Sequence, residues 1–447
     1  MEGSAHRGRL WQPYARMGAL QDDPGVVLDR GDGVWLFDTE GRRYLDGVGA
    51  LEAMAVGHGR TRLADVAHAQ MAKLAFLDVF RYTSQPAIDL SEELVRLAPD
   101  GLDRVHFTPG GSEAVEVAIK LAVQYHWVRG EHERRRVICR AGAYHGTTFG
   151  AMNCDGRYWA TRNDIYLGDC RFGVVASGPA TGAGWGPGGV HAAGAAEFAD
   201  VIERLGAHTV AAIIVDPLAT ASGVACAPRS DLVALRQLCD ETGVLLIVDE
   251  VISGFCRSGS FFTSGLYGVE PDLMPVSKAL SSGYQPIGAT LISGRIAHQI
   301  DSSSSGDGVF AHGHTYGGHP VACAVALENL RILQEERLDE RAGTLGPYLQ
   351  EALQQLECHK TVAGTRGVGM LCGVEIHGRP FDWGAIGDPI AAATWLRKRL
   401  RDRGLITLAV HPGTTFLLAP PLVISYDEID QLVEVFDAGL DDLEAAM

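Results

Sequence analysis

The stretch "GVLLIVDEVISGFCRSG", residues 243–259, decides how this chain is read. An unbroken apolar run, Val244 to Val248, follows a glycine and ends on two acids, Asp249 and Glu250. A short continuous apolar run suits a strand buried on both faces, and acids at its C-terminal end fall on the edge where ligands collect in parallel α/β sheets. Such acids can bind a metal or cap a helix. Asp249 can also face a protonated heterocyclic nitrogen, whose charge a nearby carboxylate supports.

Similar runs occur on both sides of this stretch: "RVHFT" (104–108), "RVICR" (136–140), "TVAAIIVD" (209–216) and "GATLIS" (288–293). They alternate with amphipathic segments beginning at Ser112, Ala195 and Ser230, the last two ending at glycine stops. The pattern predicts an α/β fold, a mostly parallel central sheet flanked by helices. "GVWLFDTEGRRYLDGV" (33–48) reads as a hairpin, and beyond about residue 320 helices give way to short strands near 369–378 and 415–423. Residues 1–55 and 321–447 are therefore expected to form a smaller α+β domain from both chain ends, beside a large domain at 56–320. Two glycine- and serine-rich stretches, 177–194 and 301–318, read as long loops of the kind that carry function.

A chain of 447 residues that is 46% hydrophobic and 21% charged has ample core and is neither disordered nor fibrous. Its net charge of -17 opposes nucleic-acid binding, which needs a clustered basic face. The nine cysteines are scattered with no C-x-x-C pair, so they read as buried thiols of a reducing compartment and not as a zinc or disulfide framework. No signal-like apolar core opens the sequence and no run approaches the roughly 18 residues of a membrane span. The expectation is a cytoplasmic protein without a metal site.

Two further stretches carry candidate chemistry. In "TPGGSEAVEVAIKLA" (108–122) a strand passes through Gly110 and Gly111 into Ser112 and a helix, where free N–H groups favour a phosphate. A plain strand-to-helix turn would look the same. In "PVSKALSSGYQPIGA" (275–289) Lys278 stands nearly alone, with Asp272 the nearest acid upstream and Arg295 the next charge downstream. A lysine in a sheet-edge cleft loses its charge readily and attacks aldehydes. A phosphate cradle, an acid for a ring nitrogen and an isolated lysine, in this order, suggest pyridoxal 5'-phosphate.

Together with "YHG" (144–146) and "HTYGGHPVACAVAL" from 314, these motifs make the chain resemble the class III (omega-type) aminotransferases of the fold-type I pyridoxal-phosphate enzymes, from about Leu10 to about Asp430. The resemblance implies that Lys278 forms the Schiff base with the cofactor and shuttles a proton. It implies that Asp249 pairs with the pyridinium nitrogen and that Val251 and Tyr144 pack on the two ring faces. Gly111 and Ser112 would hold the phosphate, and Thr315 would reach the phosphate of a neighbouring subunit, making the sites shared within a homodimer. His145 is left open between a structural and a functional role. The partners implied are small-molecule amines and carbonyl compounds.

The sequence departs from that family at informative places. Glu52, in "GVGALEAMAVGHG" (47–59), stands where relatives often carry a pocket-wall tryptophan, and His411 stands where many carry a mobile arginine for the substrate carboxylate. A neutral histidine cannot replace a bidentate guanidinium. Both changes point to a cationic substrate, an amino sugar of the aminoglycoside kind or a polyamine, with other amines, ketones, aldehydes and amino acids as alternatives. Glu52 facing solvent, Arg60 or Arg62 would remove that argument. Gln12 and Asp216 are smaller departures, from histidine and glutamate. An aminomutase or epimerase would use the same lysine and aspartate. A non-catalytic binding module is opposed by the retention of both residues. A dinucleotide-dependent oxidoreductase would have to use Gly184, Gly186 and Gly189, which lie too far beyond the nearest strand.

Overall fold

The computed structural model describes residues 9–14, 25–156, 166–167, 172–176, 194–303, 306–378, 380–410 and 413–447. Its centre is a seven-stranded sheet in the order Leu102–Thr108, Gly288–Ser293, Leu273–Val276, Leu245–Val248, Val210–Val215, Arg136–Arg140, Gly173–Ala176. Gly288–Ser293 runs antiparallel to both neighbours and every other pairing is parallel, so six strands deliver their C-terminal ends to one edge.

The apolar runs are continuous because both faces of the sheet are covered. Ala212, Ile214, Leu245 and Ile247 pack with Val115, Ile119 and Leu121 of the helix Gly111–Val128. Ile213, Val215, Leu246 and Val248 face the other way, onto Phe198 of Ala195–Leu205 and Leu232 of Arg229–Thr242. Full burial of each such side chain stabilises the fold by roughly 1.5–3 kcal/mol.

The chain ends meet. Leu28–Asp32, Trp35–Asp38 and Arg43–Asp46 form an antiparallel ribbon, and Leu405–Ile406 joins it parallel to Arg43–Asp46. A second four-stranded sheet holds Val362–Val368, Leu371–Ile376, Thr415–Leu418 and Leu408–Val410. Most of the 301–318 stretch lacks regular structure apart from a short turn at Gly306–Gly308. The 177–193 stretch, with Gly184, Gly186 and Gly189, lies outside the described residues, as does His411. Among the described residues no helix is long and apolar enough to cross a membrane.

The path from the ribbon to the sheet edge is unusual. Gly49, Ala50, Leu51 and Glu52 have φ of 53, 46, 67 and 60°, a left-handed helical turn in which the Glu52 N–H donates to the Val48 carbonyl at 2.8 Å. For L-residues that conformation costs roughly 1–2 kcal/mol each. Surrounding contacts impose it. The Asp46 carboxylate accepts the N–H groups of Ala50 (2.9 Å) and Val48 (3.3 Å), and Gly49 sits where a β-carbon would approach the Ala419 carbonyl to 2.6 Å. Past the turn, Ser282 Oγ accepts the N–H groups of Ala55 and Val56, and the Tyr284 hydroxyl donates to the Gly57 carbonyl at 2.8 Å. The turn is thus tied to the loop that carries Lys278. Gly49→Ala is expected to lower the unfolding free energy by about 2 kcal/mol or more in a urea titration, from the positive φ and the approach to Ala419; a variant as stable as the parent would contradict this account of the turn.

Candidate active site

Asp249 and Glu250 leave the end of Leu245–Val248 on opposite faces, as successive residues of an extended chain do. Glu250 is fully buried and accepts hydrogen bonds from Ser253 Oγ and from the N–H and hydroxyl of Ser264 (2.6 and 2.8 Å). It caps the turn Thr263–Tyr267, which accounts for one of the two acids. Among the described residues no group of three or more His, Cys, Asp or Glu is arranged to hold a metal ion.

Asp249 points into a cavity of ≈ 130 Å³ at the sheet edge. Gly111, Ser112, Tyr144, Val251 and Lys278, each singled out above, line the same cavity, joined by His145, Gly146, Asp216, Ile252 and Ser277. Larger hollows of ≈ 440 and ≈ 520 Å³ lie around His106 and His312, but neither opposes a carboxylate to a lysine amine across a helix start, so the smaller cavity is the candidate site. Thr315 is not in this cavity. It is exposed in the segment that borders the first of those hollows.

Each side chain is held from behind. Asp249 Oδ1 accepts the Val251 N–H at 3.0 Å, and Oδ2 lies 2.7 Å from His145 Nδ1. His145 is therefore bonded to the candidate acid, which settles its contact. Ser112 Oγ accepts the Thr147 N–H at 3.1 Å, so the two loops beside the helix start brace each other. Lys278 opens a short turn with φ of 46°, and Nδ2 of Asn329, from the helix Pro320–Glu335, donates to the carbonyls of Ala279 (2.9 Å) and Leu280 (3.0 Å). Nothing in the local sequence marks Asn329 for this task, because 49 and 50 residues separate it from its acceptors.

Glu52 faces neither solvent nor the two arginines considered for it. Arg60 pairs with Glu336, and Arg62 with Glu328 and Glu335. Glu52 is buried, with Oε2 2.6 Å from Lys278 Nζ. Behind it lies Arg257, also buried, whose Nη1 donates to the carbonyls of Pro420 (2.6 Å) and Met370 (3.3 Å). Burial pushes Arg257 down to about 10, against the pull of Glu52 and Asp46.

The residues fit pyridoxal phosphate. His145 Nε2 and Asp216 Oδ1, both buried at this cavity, have no hydrogen-bond partner among the described residues. A β-carbon on Gly111 would come to 3.0 Å from Val251, and one on Gly146 to 2.5 Å from Ser112 Oγ, so both glycines keep space open at the helix start. The donor set matches the three ends of the molecule: N–H groups and a serine hydroxyl for the phosphate, a carboxylate for the ring nitrogen, an amine for the aldehyde.

Burial opposes charge on the His145 imidazole, but the Asp249 carboxylate, with Asp216 and Asp155 beyond it, outweighs burial and raises His145 above its ordinary 6.5. Burial raises Asp216, against the opposing pull of His145 and Arg140. A raised histidine stabilises the fold fully below its unfolded value, and that contribution is lost as pH climbs through the folded value. Urea unfolding of His145→Gln from about pH 5 to about pH 9 is thus expected to show its largest deficit against wild type on the acid side. A deficit that is flat, or that grows toward alkaline pH, would contradict the assigned contact.

The chain is similar to known proteins along nearly its whole length. The family described as aminotransferase class-III matches residues 17–440. The chain is 34% identical to a probable gamma-aminobutyrate transaminase 4 of Oryza sativa subsp. japonica, over 96% of this chain and 89% of that protein. It is 33% identical to a putrescine–pyruvate aminotransferase of Pseudomonas aeruginosa, over 97% and 94%. Among solved structures, an amine transaminase from an uncultivated Pseudomonas species, in its PLP-bound (internal aldimine) form, superposes with a TM-score of 0.88 at 32% identity, covering 98% of this chain and 99% of that one. A family match over nearly the whole length, a fold-type I architecture and a cavity fitted to the cofactor lead to one conclusion: the chain belongs to the class III aminotransferases, which are pyridoxal-phosphate-dependent transaminases.

Proposed function

We propose that this aminotransferase uses Lys278 and Asp249 as its working pair and takes as amino donor a cationic amine, of the polyamine or amino-sugar class, in place of an α-amino acid. One observation carries the reading: Lys278 Nζ opens onto the cavity of Asp249 with the Glu52 carboxylate 2.6 Å away.

Pyridoxal phosphate, when bound, supplies an aldehyde that can take up an amino group and a ring that draws electrons from the adjoining carbon. The chain supplies the rest. Asp249, oriented by His145 and the Val251 N–H, would hold positive charge at the ring nitrogen. Gly111 and Ser112, at the start of Gly111–Val128, would hold the phosphate, and Tyr144 and Val251, which line the same cavity, would confine the ring. With the cofactor bound, Lys278 Nζ would carry the proton that leaves the carbon bearing the amino group to the former aldehyde carbon within the same half-reaction, and would carry it the opposite way in the second, a positioned transfer of the kind worth 10²–10⁴-fold in rate.

Substrate class follows from charge. No arginine lines the cavity among the described residues, and Glu52 sets a negative charge at its edge, which repels a substrate carboxylate. The relative named for putrescine, a diamine, fits that field better than the one named for gamma-aminobutyrate. The histidine at 411, where many family members carry an arginine, agrees in sign.

We also assign the protein to homodimers with shared sites, in which Thr315 serves the neighbouring subunit. Thr315 lies beside exposed Tyr316, and Phe80, Tyr82 and Val309 on nearby segments are likewise exposed, with relative exposures of 61 to 68% for these four residues, an apolar grouping suited to a second copy. The buried thiols of Cys154, Cys239, Cys256, Cys323 and Cys372 agree with a cytoplasmic setting.

Purified protein supplied with pyridoxal phosphate is expected to absorb visible light, and Lys278→Ala to lose that band together with at least ~10²-fold of turnover. A folded wild-type protein that stays colourless would sink the lysine assignment. In a single-turnover screen, diamines and amino sugars should remove the band faster than amino acids. Loss of the band with α-amino acids alone would exclude the cationic donor.

A further inference from the structure

Of the side chains on the left-handed turn 49–52, Ala50 and Leu51 are exposed and Glu52 alone is buried. The fold therefore maintains strained backbone to deliver one carboxylate to the working amine. The charged groups facing that carboxylate are few. Lys278 lies in front at 2.6 Å, and Arg257 lies behind, its Nη2 without a hydrogen-bond partner and its Nη1 committed to backbone carbonyls. Asp46, at the start of the same turn, is bonded to His58 at 2.9 Å. Glu52 thus lies between two basic side chains and, among the described residues, is in direct contact with only one of them, through Nζ.

We propose that Glu52 relays a proton between the incoming substrate nitrogen and Lys278 Nζ, an inference that rests on the aminotransferase reading above. A primary amine arrives as R–NH3+, which has no lone pair with which to attack a carbonyl carbon. Glu52 Oε2 takes one of its protons: the N–H bond breaks, an O–H bond forms, and the electron pair stays on nitrogen. When Nζ is released as a free amine it takes that proton from Glu52, so the O–H bond breaks, an N–H bond forms and the ion pair is restored. One proton has passed from substrate nitrogen to Nζ, and nothing is oxidised or reduced. Return of the proton to Glu52 frees the Nζ lone pair for its work at carbon.

The relay sharpens the substrate class. At 2.6 Å from Nζ, Glu52 stands at the reacting nitrogen and not at the far end of a long substrate. The positive charge it recognises is the ammonium that will be transferred. A carboxylate on the same carbon would set a second negative charge against Glu52, so the donors favoured are amines with no α-carboxylate.

The test uses the full chain loaded with pyridoxal phosphate, as wild type, Glu52→Gln and Glu52→Asp. Each is mixed rapidly with 1,4-diaminobutane across a range of pH, following loss of the visible absorbance. Glu52→Gln is expected to be slower by roughly 10²-fold near neutrality, the scale of a lost general base. Its rate should climb with pH as neutral amine accumulates, closing the gap on the alkaline side, and Glu52→Asp should recover part of the neutral rate. A second readout needs no turnover. In cofactor-free protein, acetylation of Lys278 by acetic anhydride, read by peptide mass, should be about tenfold faster in Glu52→Gln, because the charge-assisted hydrogen bond that engages Nζ at 2.6 Å is lost. Equal rates at neutrality, a loss by the same factor at every pH, or unchanged labelling of Lys278 would each overturn the relay. A wild type that loses no absorbance with the diamine overturns the amine-donor reading and the relay with it, whereas a reactive wild type beside an unaffected Glu52→Gln overturns the relay alone.

Discussion

An ammonium drawn out of water needs a counter-charge, and Lys278 finds it in Glu52, 226 residues earlier in the chain. Much of the surrounding architecture serves that contact. The turn 49–52 adopts the left-handed conformation that aims Glu52 inward, and Asp46 takes up the N–H groups the turn would otherwise leave bare. Ser282 and Tyr284 then fasten the following residues to the lysine loop, so that the N-terminal segment and the edge of the central sheet act as one wall. Asn329 holds the lysine turn from the opposite side.

How much of this could be read from the sequence depended on the distance over which each feature is determined. The central sheet was legible because continuous apolar runs such as Leu245–Val248 are a local consequence of burial on both faces. Gly111, Ser112, Asp249 and Lys278 each sit in a short stretch that by itself admits other readings, and the fold brings all four to one cavity. The 49–52 turn was not legible, since Ala50, Leu51 and Glu52 are all good right-handed helix formers and only contacts from Asp46 and Ala419 overrule that preference. Glu52 stands out because it departs from a family pattern, but the sequence offers only solvent, Arg60 and Arg62 as alternatives to a pocket role, and Lys278 emerges as its partner from the fold alone. His145 was undecided for a similar reason: its bond to Asp249 spans 104 residues.

The two buried acids after one strand show how position divides labour. Glu250 and Asp249 are adjacent, yet alternation along an extended chain sends Glu250 to serines beneath the sheet edge and Asp249 into the cavity. A structural carboxylate and the one proposed for the cofactor thus come from one dipeptide. On the other side of the lysine, Glu52 arrives from a distant segment and makes the contact with Nζ at 2.6 Å.

The central claim, that Lys278 is the amine which binds the cofactor, is tested most directly by reducing the pyridoxal-phosphate-loaded protein with borohydride and mapping its peptides by mass. The account predicts a single pyridoxyl group on the peptide containing Lys278. A group on another lysine, or none on a protein that had coloured with the cofactor, would contradict it.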